Sequence, residues 1–230
     1  CLKSTKNPCR HVVVRGCKVS SNTAPLKFGT SSQGGFIDVS VTNCYFYNSP
    51  MGAIKLQLVD GGRLENVSIS RIVMEDVGNL IFIRLGNQGR TYTKRTGQKQ
   101  GVDVKPERAP IGTLRDVRIR DIVAKVTGED KSRSGPIMIT GIPGHCVENV
   151  VLENIRISYP GSGTQEDAER VVPEDIARYP EQFFFGVLPS WGVYIRHARN
   201  IEFINVELKT RTTDARQKIY VEDVEGFLER

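Results

Sequence analysis

The 230-residue chain contains no uninterrupted run of 18 apolar residues, so it lacks the stretch that a membrane-spanning helix needs, and no membrane partner is expected. Its first residues, Cys1-Leu2-Lys3-Ser4, lack the basic-then-apolar form of a secretory leader. They read instead as the tail of an earlier repeat, so the expectation is a chain truncated at its N-terminus. The five cysteines, at 1, 9, 17, 44 and 146, show no metal-ligand spacing, which argues against a metal site; no cofactor is expected. Cys1 and Cys9 are open to a disulfide, and the odd count leaves at least one thiol unpaired. None of the three histidines, His11, His145 and His197, lies beside a nucleophile or a carboxylate pair in the sequence, and none is assigned a catalytic role. No Pro/Ser-rich linker interrupts the chain, which predicts one domain over 1–230. The excess of 32 Lys and Arg over 26 Asp and Glu is mild, and aromatics are not interleaved with the basic residues of 90–108. A nucleic-acid partner is therefore not expected.

What the chain does have is a repeat. Residues 66–74, NVSISRIVM, alternate apolar and polar positions, and the same pattern recurs five more times. Aligned, the copies give four apolar columns. The first is Val12, Val39, Val67, Val117, Val150 and Ile201, and the second Val14, Val41, Ile69, Ile119, Leu152 and Phe203. The third is Cys17, Cys44, Ile72, Ile122, Ile155 and Val206, and the fourth Val19, Phe46, Met74, Ala124, Ile157 and Leu208. A polar or glycine residue separates the second column from the third. Period-two alternation with β-branched residues inward means strand. Successive copies start 27, 28, 50, 33 and 51 residues apart, a period near 28 stretched by insertions. A unit that small cannot bury its own apolar face and has to stack on its neighbours. The prediction is an all-β chain, a right-handed parallel β-helix of about six coils with two long insertions. Val221, Val224 and Phe227 would form a last partial coil.

Each repeat carries a second, shorter strand, seen at Leu26-Lys27-Phe28, Ile54-Lys55-Leu56-Gln57, Ile81-Phe82-Ile83-Arg84, Ile137-Met138-Ile139 and Val193-Tyr194-Ile195-Arg196. If Leu26, Ile54 and Ile81 point inward, then Lys27, Lys55 and Phe82 form one outward column and Gly29, Gln57 and Arg84 the next. Lys3 is a candidate to extend the first of these. Such a ladder is either a shallow basic groove or a solvated face. The insertions are a basic loop at 88–110 and a segment at 159–189, acidic and open to helix over 165–179. The second ends in Phe183, Phe184 and Phe185, which with Trp191 and Tyr194 form either a sugar-stacking platform or buried loop packing.

The combination Cys1-Leu2-Lys3-Ser4, Pro8-Cys9, Val14-Arg15-Gly16-Cys17-Lys18-Val19-Ser20-Ser21, Gly29-Thr30, Gly34-Gly35 and Thr42-Asn43-Cys44 resembles glycoside hydrolase family 28, the polygalacturonases. The resemblance covers nearly the whole chain. It implies inverting hydrolysis of glycosidic bonds in a pectic polysaccharide, an acidic glycan substrate, and a secreted or periplasmic setting. The family's catalytic aspartates would lie upstream of residue 1, so the chain alone is expected to be inactive, and no catalytic residue is assigned within it. Where the family has Gly-His-Gly, this chain has Asn22-Thr23-Ala24, with Thr23 in place of the histidine. The family's Arg-x-Lys substrate clamp is matched by Lys55-Leu56-Gln57. Lys55 offers a carboxylate a point charge without the planar fork of arginine. These departures point to a divergent branch acting on another pectic or plant-type glycan. Asn22, Thr23, Lys27, Lys55 and Gln57 are the expected substrate-binding residues. The alternative is a noncatalytic β-helix that binds glycan or serves as structure. Asp60, next to the clamp strand, reads as part of an Asp-Gly-Gly turn.

Overall fold

Strand-forming alternation produces twelve strands in the computed structural model, which describes residues 1–88, 110–128 and 130–230. They are β1 (Cys9–Arg15), β2 (Lys18–Ser20), β3 (Leu26–Phe28), β4 (Phe36–Ser49), β5 (Ile54–Leu58), β6 (Arg63–Val77), β7 (Ile81–Leu85), β8 (Thr113–Val126), β9 (Ile137–Thr140), β10 (Val147–Tyr159), β11 (Ser190–Thr210) and β12 (Gln217–Glu229). All strand pairings are parallel, in one curled sheet ordered β1-β4-β6-β8-β10-β11-β9-β7-β5-β3, with β12 beside β11 and β2 beside β4. The 21-residue β11 is the corner: its first part pairs with β9 and its later part with β10. Among the described residues the only α-helix is α1 (Gln165–Ala168), so the helix open over 165–179 is confined to its first turn. No helix among them is long and apolar enough to cross a membrane.

The register follows the apolar columns. Val12 pairs with Val39, Val39 with Val67, Val67 with Val117, Val117 with Val150 and Val150 with Ile201. Val41, Ile69, Ile119, Leu152 and Phe203 of the second column are wholly buried. The inward residues of the short strands, Leu26, Ile54, Leu56, Ile81, Ile83, Ile137, Val193 and Ile195 among them, join the same core. At the C-terminal end Val221, Val224 and Phe227 pair with Ile195, Ala198 and Ile201, as the pattern predicts.

The long strands curl because at least two residues in each repeat adopt the left-handed conformation. One lies just before the first column (His11, Asp38, Asn66, Asp116, Asn149, Asn200) and one between the second and third (Gly16, Asn43, Arg71, Asp121, Asn154, Asn205). Asn and Asp tolerate positive φ better than other side-chain-bearing residues. Stacked at one column they also bond to each other. Asn66 Nδ2 donates to Asp38 Oδ1 (2.5 Å), Asn149 to Asp116 (2.8 Å) and Asn200 to Asn149 (3.1 Å). Asn66 has φ 57°. Asn66→Val therefore combines a β-branched residue at positive φ with the loss of a ladder bond and is expected to cost about 1–2 kcal/mol. Urea unfolding should show the midpoint fall at an unchanged slope.

Two candidates drawn from the sequence do not hold. Leu2 pairs with Phe28 instead of Leu26, so Lys3 does not sit opposite Lys27. The register there is set by the bonds of Leu2 to Lys27 O and of Gly29 to Leu2 O. All five cysteines are free, Cys1 and Cys9 included. Cys44, stacked among buried aliphatics, has its thiol pushed up chiefly by that burial. The basic loop at 88–110 lies outside the described residues except at its two ends.

Candidate functional site

The outward side chains of the short strands form the columns that alternation predicts. Lys27 pairs with Lys55 and Lys55 with Phe82; Phe82, Met138, Tyr194 and Tyr220 continue that column. Beside it run Gln57, Arg84, Thr140, Arg196 and Glu222. One column is thus cationic at one end and apolar beyond, and its neighbour is a row of long polar groups.

This face is not an open groove in the structure. Residues 160–189 lie across it as a strap, because its long donors need acceptors and its apolar groups need cover. The strap leaves β10 and is tied down at its base by Thr212 Oγ1 to Pro160 O (2.9 Å), by Gly163 N to Asp214 (3.0 Å) and by Lys131 to Asp167 (2.5 Å). It then crosses the strands toward β3, giving up main-chain oxygens in turn. Arg196 donates to Val172 O (2.9 Å), Arg84 to Glu174 O and Asp175 O (2.9 and 3.2 Å), and Gln57 Nε2 to Pro180 O (2.6 Å). The crossing ends at Glu181, whose carboxylate takes Lys27 Nζ at 2.7 Å on one oxygen and Lys55 Nζ on the other. A 3₁₀ turn at Gln182–Phe185 then brings the chain back. Phe185 packs edge-on against Phe82 in an apolar cluster with Met138, Val172, Leu188 and Tyr194, and Arg84 lies over its ring.

Of the expected substrate-binding residues, Lys27, Lys55 and Gln57 are therefore brought together, but beneath the strap, while Asn22 and Thr23 are exposed beyond it. Lys55 is wholly buried; burial pushes its amine below the ordinary lysine range against the pull of Glu181. Lys27 also touches Tyr179, by a 3.3 Å bond to the hydroxyl and with its amine 5.2 Å from the ring centre. Arg84 is pushed down to about 10 by burial. Gln57 Oε1 is buried and has no hydrogen-bond partner among the described residues. Asp60 is buried in the turn formed with Gly61 and Gly62, both at positive φ.

The aromatic residues do not converge on one platform. Phe185 and Tyr194 are buried, Trp191 packs edge-on against Tyr159, and Phe183 and Phe184 touch with their rings tilted at 57°, near Arg133 and Arg178.

A second cluster has no precursor in the sequence reading. His197 Nδ1 lies 2.5 Å from Asp223, and its Nε2 lies 3.0 and 3.1 Å from the two oxygens of Glu174. Arg196 reaches Glu174 and, at 3.4 Å, Glu222. The pairing of Ala198 with Val224 places Asp223 beside His197. Glu174 comes from the strap, which has no period to align. Among the described residues no group of three or more His, Cys, Asp or Glu is arranged to hold a metal ion.

No family model matches the chain, and no curated protein or solved structure matches it either.

Proposed function

We propose that the chain is one right-handed parallel β-helix domain of about six coils. On this reading it is part of an exported, divergent glycoside hydrolase related to the polygalacturonases, acting by inversion on an acidic pectic or plant-type glycan. Lys27, Lys55 and Gln57 serve as its carboxylate- and hydroxyl-binding residues, with Asn22 and Thr23 at the edge of the same face. The observation that supports this most is the convergence of Lys27 and Lys55 on a single carboxylate. Two ammonium groups aimed at two oxygens of one carboxyl group form the recognition element a uronate needs. The catalytic acids are proposed to lie upstream of residue 1. Within the chain, Glu174, Glu181 and Glu222 on this face are all engaged by Lys, Arg or His. That engagement favours, for this chain by itself, a second reading: glycan binding without hydrolysis.

Calorimetric titration with trigalacturonate separates these readings from a purely structural ladder. The 230-residue chain is expected to bind it with a dissociation constant on the order of 1 mM and to release no reducing sugar from polygalacturonate. Lys27→Ala, at the most accessible of the two amines, should weaken binding roughly tenfold through loss of one charge-assisted bond. Equal heats from trigalacturonate and a neutral trisaccharide would remove the acidic-glycan reading. Sugar release by this chain would place the acids within it.

A further inference from the structure

We infer that the strap is an internal occupant of the glycan groove. Glu181 fills the carboxylate site of Lys27 and Lys55, and an acidic glycan gains that site when residues 172–185 lift. The inference rests on the acidic-glycan reading of this face.

Four observations carry it. The first is the way the strap lies: with one turn at Ile176–Ala177, it crosses the strands and surrenders one oxygen after another to Arg196, Arg84, Gln57 and the two lysines. A linear polysaccharide laid along the groove would meet the same donors in the same order. The second is charge. Lys27 and Lys55 bring two cations to the single carboxylate of Glu181, and among the described residues neither is paired with a second anion. A buried surplus of one positive charge is costly and suits a ligand more anionic than one glutamate. The third is Gln57, whose amide N–H bonds Pro180 O while its Oε1 is left buried and unpartnered. Pro180 has no N–H to return. A sugar hydroxyl supplies the missing donor, since it both donates and accepts. The fourth is separability. The strap is held by its own cluster of Phe82, Met138, Val172, Phe185, Leu188 and Tyr194, apart from the main core. Lifting it leaves the columns intact and uncovers Phe82 beside Lys55, and Tyr194 farther along the same column, rings of the kind on which sugar faces pack.

The strap then acts as an intramolecular competitor: observed affinity equals intrinsic affinity scaled by the fraction of molecules with the strap lifted. Calorimetry with trigalacturonate on the wild-type chain, Glu181→Gln and Phe185→Ala tests this, with hydrogen exchange of 172–185 followed in parallel. Glu181→Gln removes the competing charge, and Phe185→Ala weakens the distant anchor without touching the carboxylate site. Both are expected to bind at least about tenfold more tightly than wild type, with faster exchange in 172–185. If exchange accelerates in both while affinity equals that of wild type, the strap is not a competitor and the inference falls, with the glycan reading intact. If no form binds although the strap exchanges freely, both fall. If a neutral trisaccharide gains as much as trigalacturonate, the assignment of Glu181 as a carboxylate mimic is overturned. Should Glu181→Gln fail to fold, Phe185→Ala decides the matter by the same criteria.

Discussion

Arg84→Ala is expected to release residues 172–185 from the sheet as a unit. Arg84 is 2% exposed, and its guanidinium serves Thr140 Oγ1, Gly141 O, Glu174 O and Asp175 O at once, while covering Phe185. Alanine leaves these acceptors without their donor and opens a cavity under the phenyl ring. Removing a buried, multiply bonded charge costs about 3–5 kcal/mol. The loss falls on the docking of the strap, because two of the four acceptors belong to it and the column residues pack without it. Amide protection over 172–185 should drop about 100-fold or more, while far-ultraviolet dichroism stays that of parallel sheet. Lysine at the same position keeps the charge but cannot span four acceptors, so it should restore little. Unchanged protection would show that the Phe82–Phe185 cluster and Glu181 hold the strap unaided.

Phe203→Ala attacks the columns themselves. Phe203 is wholly buried in the second column, paired in register with Leu152 and edge-on to Phe227 at 5.3 Å between ring centres. Truncation removes the largest side chain of that column and leaves a cavity that the stacked backbones on either side cannot collapse to fill, since their spacing is set by ladder bonds. The expected loss is about 3–5 kcal/mol, read as a lower urea midpoint at unchanged slope. Val13→Ala is the control: Val13 points outward at 71% exposure, and its truncation should change stability by no more than about 0.5 kcal/mol. Comparable losses at the two positions would contradict the assignment of inward and outward faces.

These two residues also mark how far the chain could be read before it was folded. Phe203 belongs to a column found by alternation alone, and the pairings of Val39, Val67, Val117 and Val150 follow the same alignment. A parallel ladder with one buried face has little freedom: slipping by one residue would turn every apolar side chain outward, so the pattern and the register carry the same information. The outward columns were legible for the same reason, down to Gln57 beside Arg84. The one slip, at Leu2, came where a single bridge replaces a full strand and alternation has nothing to constrain.

The strap obeyed no such rule. Nothing local in Pro180 or Glu181 indicates that they will meet Gln57, Lys55 and Lys27, which lie 123, 126 and 154 residues away in sequence. Likewise His197 looked isolated until Glu174 arrived from the strap and Asp223 from the next strand. The sequence by itself thus determined the strands, their faces and their register, because each is a short-period property that every repeat states again. Only the tertiary structure decided what covers the cationic face and which acids neutralise it. An aperiodic segment takes its course from the donors and apolar surface already displayed by the folded sheet, and that display exists only once the columns have stacked.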